Sequence, residues 1–292
     1  MARVFLVNPP SPEPVRSPLL SFCHLAASLR AAGHRVALLD ASAPHAPHDH
    51  ETIRARVAAF APDLVGLHLK TLHVQPAYAL AAALADAFPL VAGGPHATIV
   101  PEEPLTRGFR WVIRGEGEEA LVELADAIDG RRPLGDIAGL SWRDRGLVRH
   151  NPTRPFLAEL DRLPAPLSAL DLFDPAWYDA LVPGVRIAPA GLLSSRGCPA
   201  ACTFCSNDVT GRRFRYRSAS AVAAEVAHLH RVHGLTAFSF FDDSFAVGKR
   251  RVRELCDALA GLDERVYWTC TAHPAHLDRD VLADMKRAGC TG

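Results

Sequence analysis

The sequence predicts an α/β protein. A doubly wound, Rossmann-like domain covers residues 1–150, a proline-rich linker covers 151–190, and a partial (β/α) barrel begins at 191. Three observations carry this. Over the first 130 residues, short β-rich runs alternate with helical stretches, the pattern of a parallel sheet covered by helices. Residues 152–190 hold seven prolines, which limit helix propagation and suit a connector better than a core. From 191 the βα rhythm resumes.

In chain order, the candidate strands of the first domain are Arg3–Val7, Arg35–Asp40, Asp63–Leu69, Leu90–Ala92 and Arg110–Ile113. Each is followed by a turn and a helical segment. The helix expected over Leu19–Ala32 carries apolar residues at helical spacing and stops at Gly33, which tolerates the left-handed backbone of a helix end. A second is expected over Ala77–Ala87. From Ile137 to Phe156, alternation around Gly146 predicts a hairpin that leaves the first domain. Beyond the linker come strand Gly191–Ser195, helix Ala219–His233, strand Thr236–Phe241, helix Val247–Leu262, strand Arg265–Thr271 and helix Asp278–Ala288. A fourth strand is expected to begin at Gly289–Gly292. These 102 residues hold three βα units, whereas a complete barrel takes roughly 200–250 residues, so the barrel is expected to be partial within this chain.

The 292 residues are 49% hydrophobic and 22% charged, which excludes a disordered chain and gives either domain enough residues for a core. With 32 basic and 32 acidic groups there is no whole-protein field to attract nucleic acid, and no nucleic-acid partner is expected. The first apolar stretch is too short for a signal peptide and no apolar run approaches the roughly 18 residues of a membrane span, so a cytoplasmic protein is expected. Seven cysteines without a secretory signal favour metal or redox chemistry over a disulfide framework.

Three of those cysteines lie in Gly197-Cys198-Pro199-Ala200-Ala201-Cys202-Thr203-Phe204-Cys205, directly after an expected strand. The spacing C-x3-C-x2-C suits an iron–sulfur cluster, and a loop giving three thiolates to four irons leaves one iron open to a substrate or cofactor. Three other readings compete, of which a disulfide is the least favoured. The same spacing lines one face of a helix, although Gly197 and Pro199 make a helix poor there. A zinc site with a fourth ligand from elsewhere is another, although the chain has no distant second pair of cysteines. Of the remaining cysteines, Cys23 and Cys256 fall on expected helices and Cys270 in a strand, where buried thiols are the ordinary outcome.

With Phe204 just before its last cysteine, the loop resembles that of the radical S-adenosylmethionine enzymes. The resemblance implies that Cys198, Cys202 and Cys205 hold a 4Fe-4S cluster whose open iron chelates the amino-acid end of S-adenosylmethionine, with the backbone near Phe204 close to the adenine. It also implies reductive cleavage of that cofactor, with a one-electron donor such as flavodoxin or ferredoxin. Asp242 and Asp243 end the second strand of this array; read alone they suit a helix cap, and the resemblance gives them the methionyl ammonium. His273, at the end of the third strand, is a lone histidine for which either a solvated side chain or proton transfer is open.

Open parallel sheets bind ligands outside the carboxyl ends of their strands. Here those ends read Asn8-Pro9-Pro10, Lys70-Thr71, Gly93-Gly94-Pro95-His96 and Arg114-Gly115-Glu116-Gly117-Glu118. Singly, each is an ordinary turn. Together and in this order, upstream of the cysteine loop, they resemble the cobalamin-binding domain of B12-dependent radical S-adenosylmethionine enzymes. That implies a cobalamin-binding-type first domain, a radical S-adenosylmethionine barrel after it, and methyl transfer to a small-molecule substrate. The sequence Asp-x-His-x-x-Gly, by which many cobalamin proteins ligate cobalt, is absent after the first strand. The opposing expectation is a non-catalytic fragment that binds an iron–sulfur cluster or carries electrons.

Overall fold

The computed structural model describes residues 1–13, 17–178, 191–206 and 209–292. Two compact units form, one from Met1–Phe156 with Ser168–Asp179, the other from Leu157–Leu167 with Ala180–Gly292. The proline-rich stretch is thus shared between them, and its portion at 179–190 lies outside the described residues.

In the first unit the strands are β1 (Arg3–Asn8), β2 (Arg35–Asp40), β3 (Leu64–His68), β4 (Leu90–Gly93) and β5 (Trp111–Ile113). They pair in parallel in the order β2-β1-β3-β4-β5, and their side chains are buried on both faces in β1, β3 and β4, as a helix-covered parallel sheet requires. The helices between them are α1 (Leu20–Ala31), α2 (His50–Phe60), α3 (Val74–Leu84), α4 (Pro95–Ile99) and α5 (Glu102–Leu105), with α6 (Glu118–Ile128) after β5. Helix α1 stops where expected: Gly33 takes φ +82° and its N–H closes on the Arg30 carbonyl at 3.0 Å. Helix α3 begins three residues earlier than Ala77 because Pro76 falls in the first turn, where a missing N–H has no intrahelical acceptor to leave empty.

The hairpin does not leave the domain. Strands β6 (Leu140–Asp144) and β7 (Leu147–His150) turn at Arg145-Gly146 and extend the same sheet to seven strands, with Trp111 opposite Trp142. The physical reason is the open edge of β5, whose backbone groups β6 satisfies by antiparallel pairing. Residues 168–178 belong to this unit through the bidentate pair of Arg30 with Asp171, at 2.6 and 2.8 Å, and the Tyr178 hydroxyl, which donates to Asp40 Oδ2 at 2.8 Å.

The second unit contains β8 (Ser195–Arg196), β9 (Arg215–Tyr216), α7 (Ala219–His233), β10 (Ala237–Phe240), α8 (Lys249–Ala260), β11 (Tyr267–Cys270) and α9 (Arg279–Arg287). Strands β10 and β11 are parallel, Leu192 bridges in parallel to Phe240, and Cys290 bridges in parallel to Trp268. A single parallel bridge at Cys290 lies where the fourth strand is expected to begin. The expected strand over Gly191–Ser195 is broken instead: the amide of Ser194 donates to the Asp242 carboxylate at 2.7 Å rather than to a ladder carbonyl, and regular pairing resumes only between β8 and β9. Phe240, Phe245 and Trp268 pack with ring centroids 5.0–5.4 Å apart, and the Trp268 indole N–H donates to the Ala288 carbonyl at 2.9 Å. Helices α7 and α9 start on the side-chain caps Ser218 and Asp278.

Candidate functional site

The second unit presents the cysteine loop at the carboxyl end of its first strand. Gly197 sits at φ +81°, and a Cβ there would come within 2.4 Å of the Arg213 carbonyl oxygen, so the turn admits only glycine without a shift. The loop is pinned by the Cys198 amide on the Gly211 carbonyl (3.3 Å), by Arg212 on the Ala200 carbonyl (3.1 Å) and by the turn from Cys205 N–H to the Cys202 carbonyl (3.2 Å). None of the seven cysteines is in a disulfide; Cys198 and Cys202 are half-buried and Cys205 is exposed. Among the described residues no three His, Cys, Asp or Glu side chains converge on a point that could hold a single metal ion. An iron–sulfur cluster asks for something different, one thiolate on each of three irons, and three thiols on one solvent-facing loop supply that donor set. Phe204 is 91% exposed.

The two aspartates are divided. Asp242 is buried, with Oδ1 accepting the Ser194 amide (2.7 Å) and Oδ2 accepting the hydroxyls of Ser194 (2.5 Å) and Ser195 (2.6 Å), beside the Arg251 guanidinium at 3.4 Å. Its oxygens are spent inside the protein. Asp243 is exposed, and its Oδ2 accepts the Gly197 amide (2.9 Å) and the Thr210 hydroxyl (3.0 Å), which ties the strand end to the base of the cysteine loop and leaves Oδ1 for a ligand. His273 is exposed, and its Nδ1 accepts the Ala275 amide at 3.2 Å, capping the turn Pro274–His276. Burial pushes the Cys256 thiol up to about 12, so it stays protonated and inert. Sequence reasoning missed Arg251, although it lies one turn before Leu255 on the apolar stripe Val252, Leu255, Cys256 and Leu259 of an otherwise charged helix.

In the first unit the strand order puts the loops after β1, β3, β4 and β5 side by side along one edge, with the change of winding direction between β1 and β3. Ser11 Oγ and His73 Nδ1, 3.0 Å apart, join the loops after those two strands. Asn8 is buried and its amide donates to Asp40 Oδ1 at 2.7 Å. Burial holds the Asp40 carboxyl above its ordinary range despite that bond and the Tyr178 hydroxyl. Pro9 is also buried, with its carbonyl taking the Ser42 hydroxyl at 2.6 Å, and Pro10 is half-buried. His68 is pushed down to about 3 by burial and by Lys70, and is neutral at neutral pH. Gly94 (φ +97°) lies against it, where a Cβ would come within 2.7 Å of His68 Nδ1.

His96 is buried, with Nδ1 3.2 Å from the hydroxyl of exposed Thr71 and Nε2 3.1 Å from that of Tyr78; Pro95 opens α4. At Gly93 and Gly115 a Cβ would meet nothing within 4 Å, and Glu116 and Gly117 lead half-buried into α6. Leu72, after β3, and Ile99 and Val100, at the end of α4, stand exposed, apolar surface that the sequence alone does not single out. No helix among the described residues is long and apolar enough to cross a membrane.

The comparisons agree with this two-part construction. The B12 binding domain family matches residues 17–125 and the radical S-adenosylmethionine superfamily matches residues 192–292. The chain thus combines a B12-binding domain with a radical S-adenosylmethionine domain that follows it in sequence. Among curated proteins it is similar to an uncharacterised methyltransferase of Pyrococcus horikoshii, at 32% identity over 99% of this chain and 63% of that protein. It is also similar to the anaerobic magnesium-protoporphyrin IX monomethyl ester cyclase of Synechocystis sp., at 28% identity over 98% and 59%. Among solved structures the fold matches OxsB, a cobalamin-dependent S-adenosylmethionine radical enzyme with aqua-cobalamin bound, with a TM-score of 0.79 and 20% identity over 99% of this chain and 43% of that one. It likewise matches TsrM, a radical S-adenosylmethionine methyltransferase from Kitasatospora setae, with a TM-score of 0.76 and 20% identity over 100% and 58%. The chain spans under two thirds of the length of these relatives.

Proposed function

We propose that this chain holds the cofactors of a cobalamin-dependent radical S-adenosylmethionine enzyme that methylates a small molecule, with electrons from a donor such as flavodoxin or ferredoxin. The observation that carries the reading is the cysteine loop itself, three thiols seated at a strand end by Gly197 and anchored to Asp243. Cys198, Cys202 and Cys205 would hold the cluster, Phe204 would stand by the adenine, and Asp243 Oδ1 would accept the methionyl ammonium. Asp242 is not available for that contact. In the first unit the chain would hold cobalamin with the backbone of Gly93, Gly94, Gly115 and Gly117, with half-buried Lys70 and with exposed Thr71 and Leu72, and without a cobalt-ligating histidine after β1. When bound, the cluster supplies an electron at low potential and cobalamin a methyl group. The residues of this chain would bind and orient these groups. The test is iron content after anaerobic reconstitution: the parent chain is expected to take up about four irons and Cys198→Ala to lose them, whereas full iron in that variant refutes the ligand assignment.

A further inference from the structure

Arg251 projects from the apolar stripe of α8 into the floor beneath the cysteine loop, and it is buried. Its Nη1 donates to the Phe245 carbonyl at 2.5 Å, and its Nη2 donates to the Ser194 hydroxyl and lies 3.4 Å from Asp242 Oδ2. The guanidinium carbon is 5.3 Å from the ring of Phe245, 5.5 Å from that of Phe214 and 5.8 Å from that of Tyr216, so three aromatic rings and one carboxylate surround the charge. The Ser194 hydroxyl passes the interaction on by donating to Asp242. Asp242 in turn holds the backbone of Ser194 and the hydroxyl of Ser195, and the next residue, Asp243, holds Gly197 and Thr210. One buried cation thus joins Ser194, just before β8, to Asp242, just after β10.

We infer that Arg251, acting through Asp242 and Ser194, is a positioning residue that sets the Asp243 carboxylate and the base of the cysteine loop in register before any cofactor binds. The inference rests on the proposed function for what that register serves. The physical reasoning is charge balance. A buried carboxylate deprived of its cation either takes a proton or draws in water, and either change releases the Ser194 and Ser195 contacts that hold the two strand ends together. Lysine keeps the charge but, as a point donor, cannot span Phe245, Ser194 and Asp242 as the planar fork does.

The test uses the 292-residue chain in two states. In the metal-free state, hydrogen exchange at the Gly197 amide is expected to quicken about tenfold or more in Arg251→Met and less in Arg251→Lys. In the anaerobically reconstituted state, Arg251→Met is expected to keep its iron, since no thiol is touched, and to need about tenfold more S-adenosylmethionine to shift the electron paramagnetic resonance spectrum of the reduced cluster, with Arg251→Lys between it and the parent. Gly197 exchange and a S-adenosylmethionine titration both equal to the parent's in Arg251→Met overturn the inference. If Arg251→Met does not fold, Ser194→Ala, which removes the relay and keeps both charges, decides: faster Gly197 exchange supports the inference and unchanged exchange refutes it. A parent chain whose spectrum ignores S-adenosylmethionine refutes the proposed function instead, and the metal-free exchange data still judge the positioning role.

Discussion

Gly197→Ala tests how the cysteine loop is seated. At φ +81° an alanine costs about 1–2 kcal/mol over a right-handed or extended backbone. Its Cβ would also stand 2.4 Å from the Arg213 oxygen, 2.9 Å from that of Gly211 and 3.1 Å from that of Thr210. These are backbone atoms, so no side chain can swing away. Relieving such overpacking costs about 1–3 kcal/mol, for a total of about 2–5 kcal/mol. A domain stable by about 5–15 kcal/mol survives that, and moving the loop is cheaper than unfolding. The Gly211 carbonyl that receives the Cys198 amide is among the atoms displaced, so the first thiol moves with it. Circular dichroism is expected to show a folded variant, while iron after anaerobic reconstitution falls to below about half of the parent's. A Gly197→Ala chain with the parent's iron and the parent's response to S-adenosylmethionine refutes the reasoning.

Three further outcomes are expected. His68 is neutral in the fold because burial and Lys70 push it down to about 3, whereas the unfolded chain takes the proton near pH 6.5; the stability it contributes is present above that pH and is lost as pH falls. Between pH 7 and pH 5 the parent should lose about 2 kcal/mol more than His68→Gln in urea unfolding, and equal losses contradict the assignment. Trp268→Ala empties a site flanked by Phe240 and Phe245, should cost about 3–5 kcal/mol, and is checked by the same unfolding curves. Gly94→Ala forces a Cβ to within 2.7 Å of His68 and 2.9 Å of the Leu69 oxygen, and should lower retention of hydroxocobalamin on a desalting column, read from the visible spectrum, with no change in iron.

The parallel strands were legible because β1, β3 and β4 are short apolar runs, and α7 was legible from end to end because Ser218 and Gly234 mark both ends. The hairpin was read correctly as a hairpin around Gly146, but that it pairs with β5 is a non-local fact with no local signal. The break at Ser194 was illegible for the same reason, since it depends on a carboxylate 48 residues away. At the candidate site the spacing of Cys198, Cys202 and Cys205 was local and readable, whereas the division of labour between Asp242 and Asp243 was not. Adjacent strand-end residues point to opposite sides, and only the packing of α8 decides which side is buried. That Asn8 at the end of β1 donates to Asp40 at the end of β2 was likewise not legible, because the two residues meet only when the strands pair.

The most direct measurement is the electron paramagnetic resonance spectrum of the anaerobically reconstituted, reduced chain with and without S-adenosylmethionine. The expected result is a four-iron signal that shifts when S-adenosylmethionine is added, because one iron lacks a protein thiolate and takes the cofactor. A chain that assembles no cluster, or a cluster signal indifferent to S-adenosylmethionine, contradicts the account.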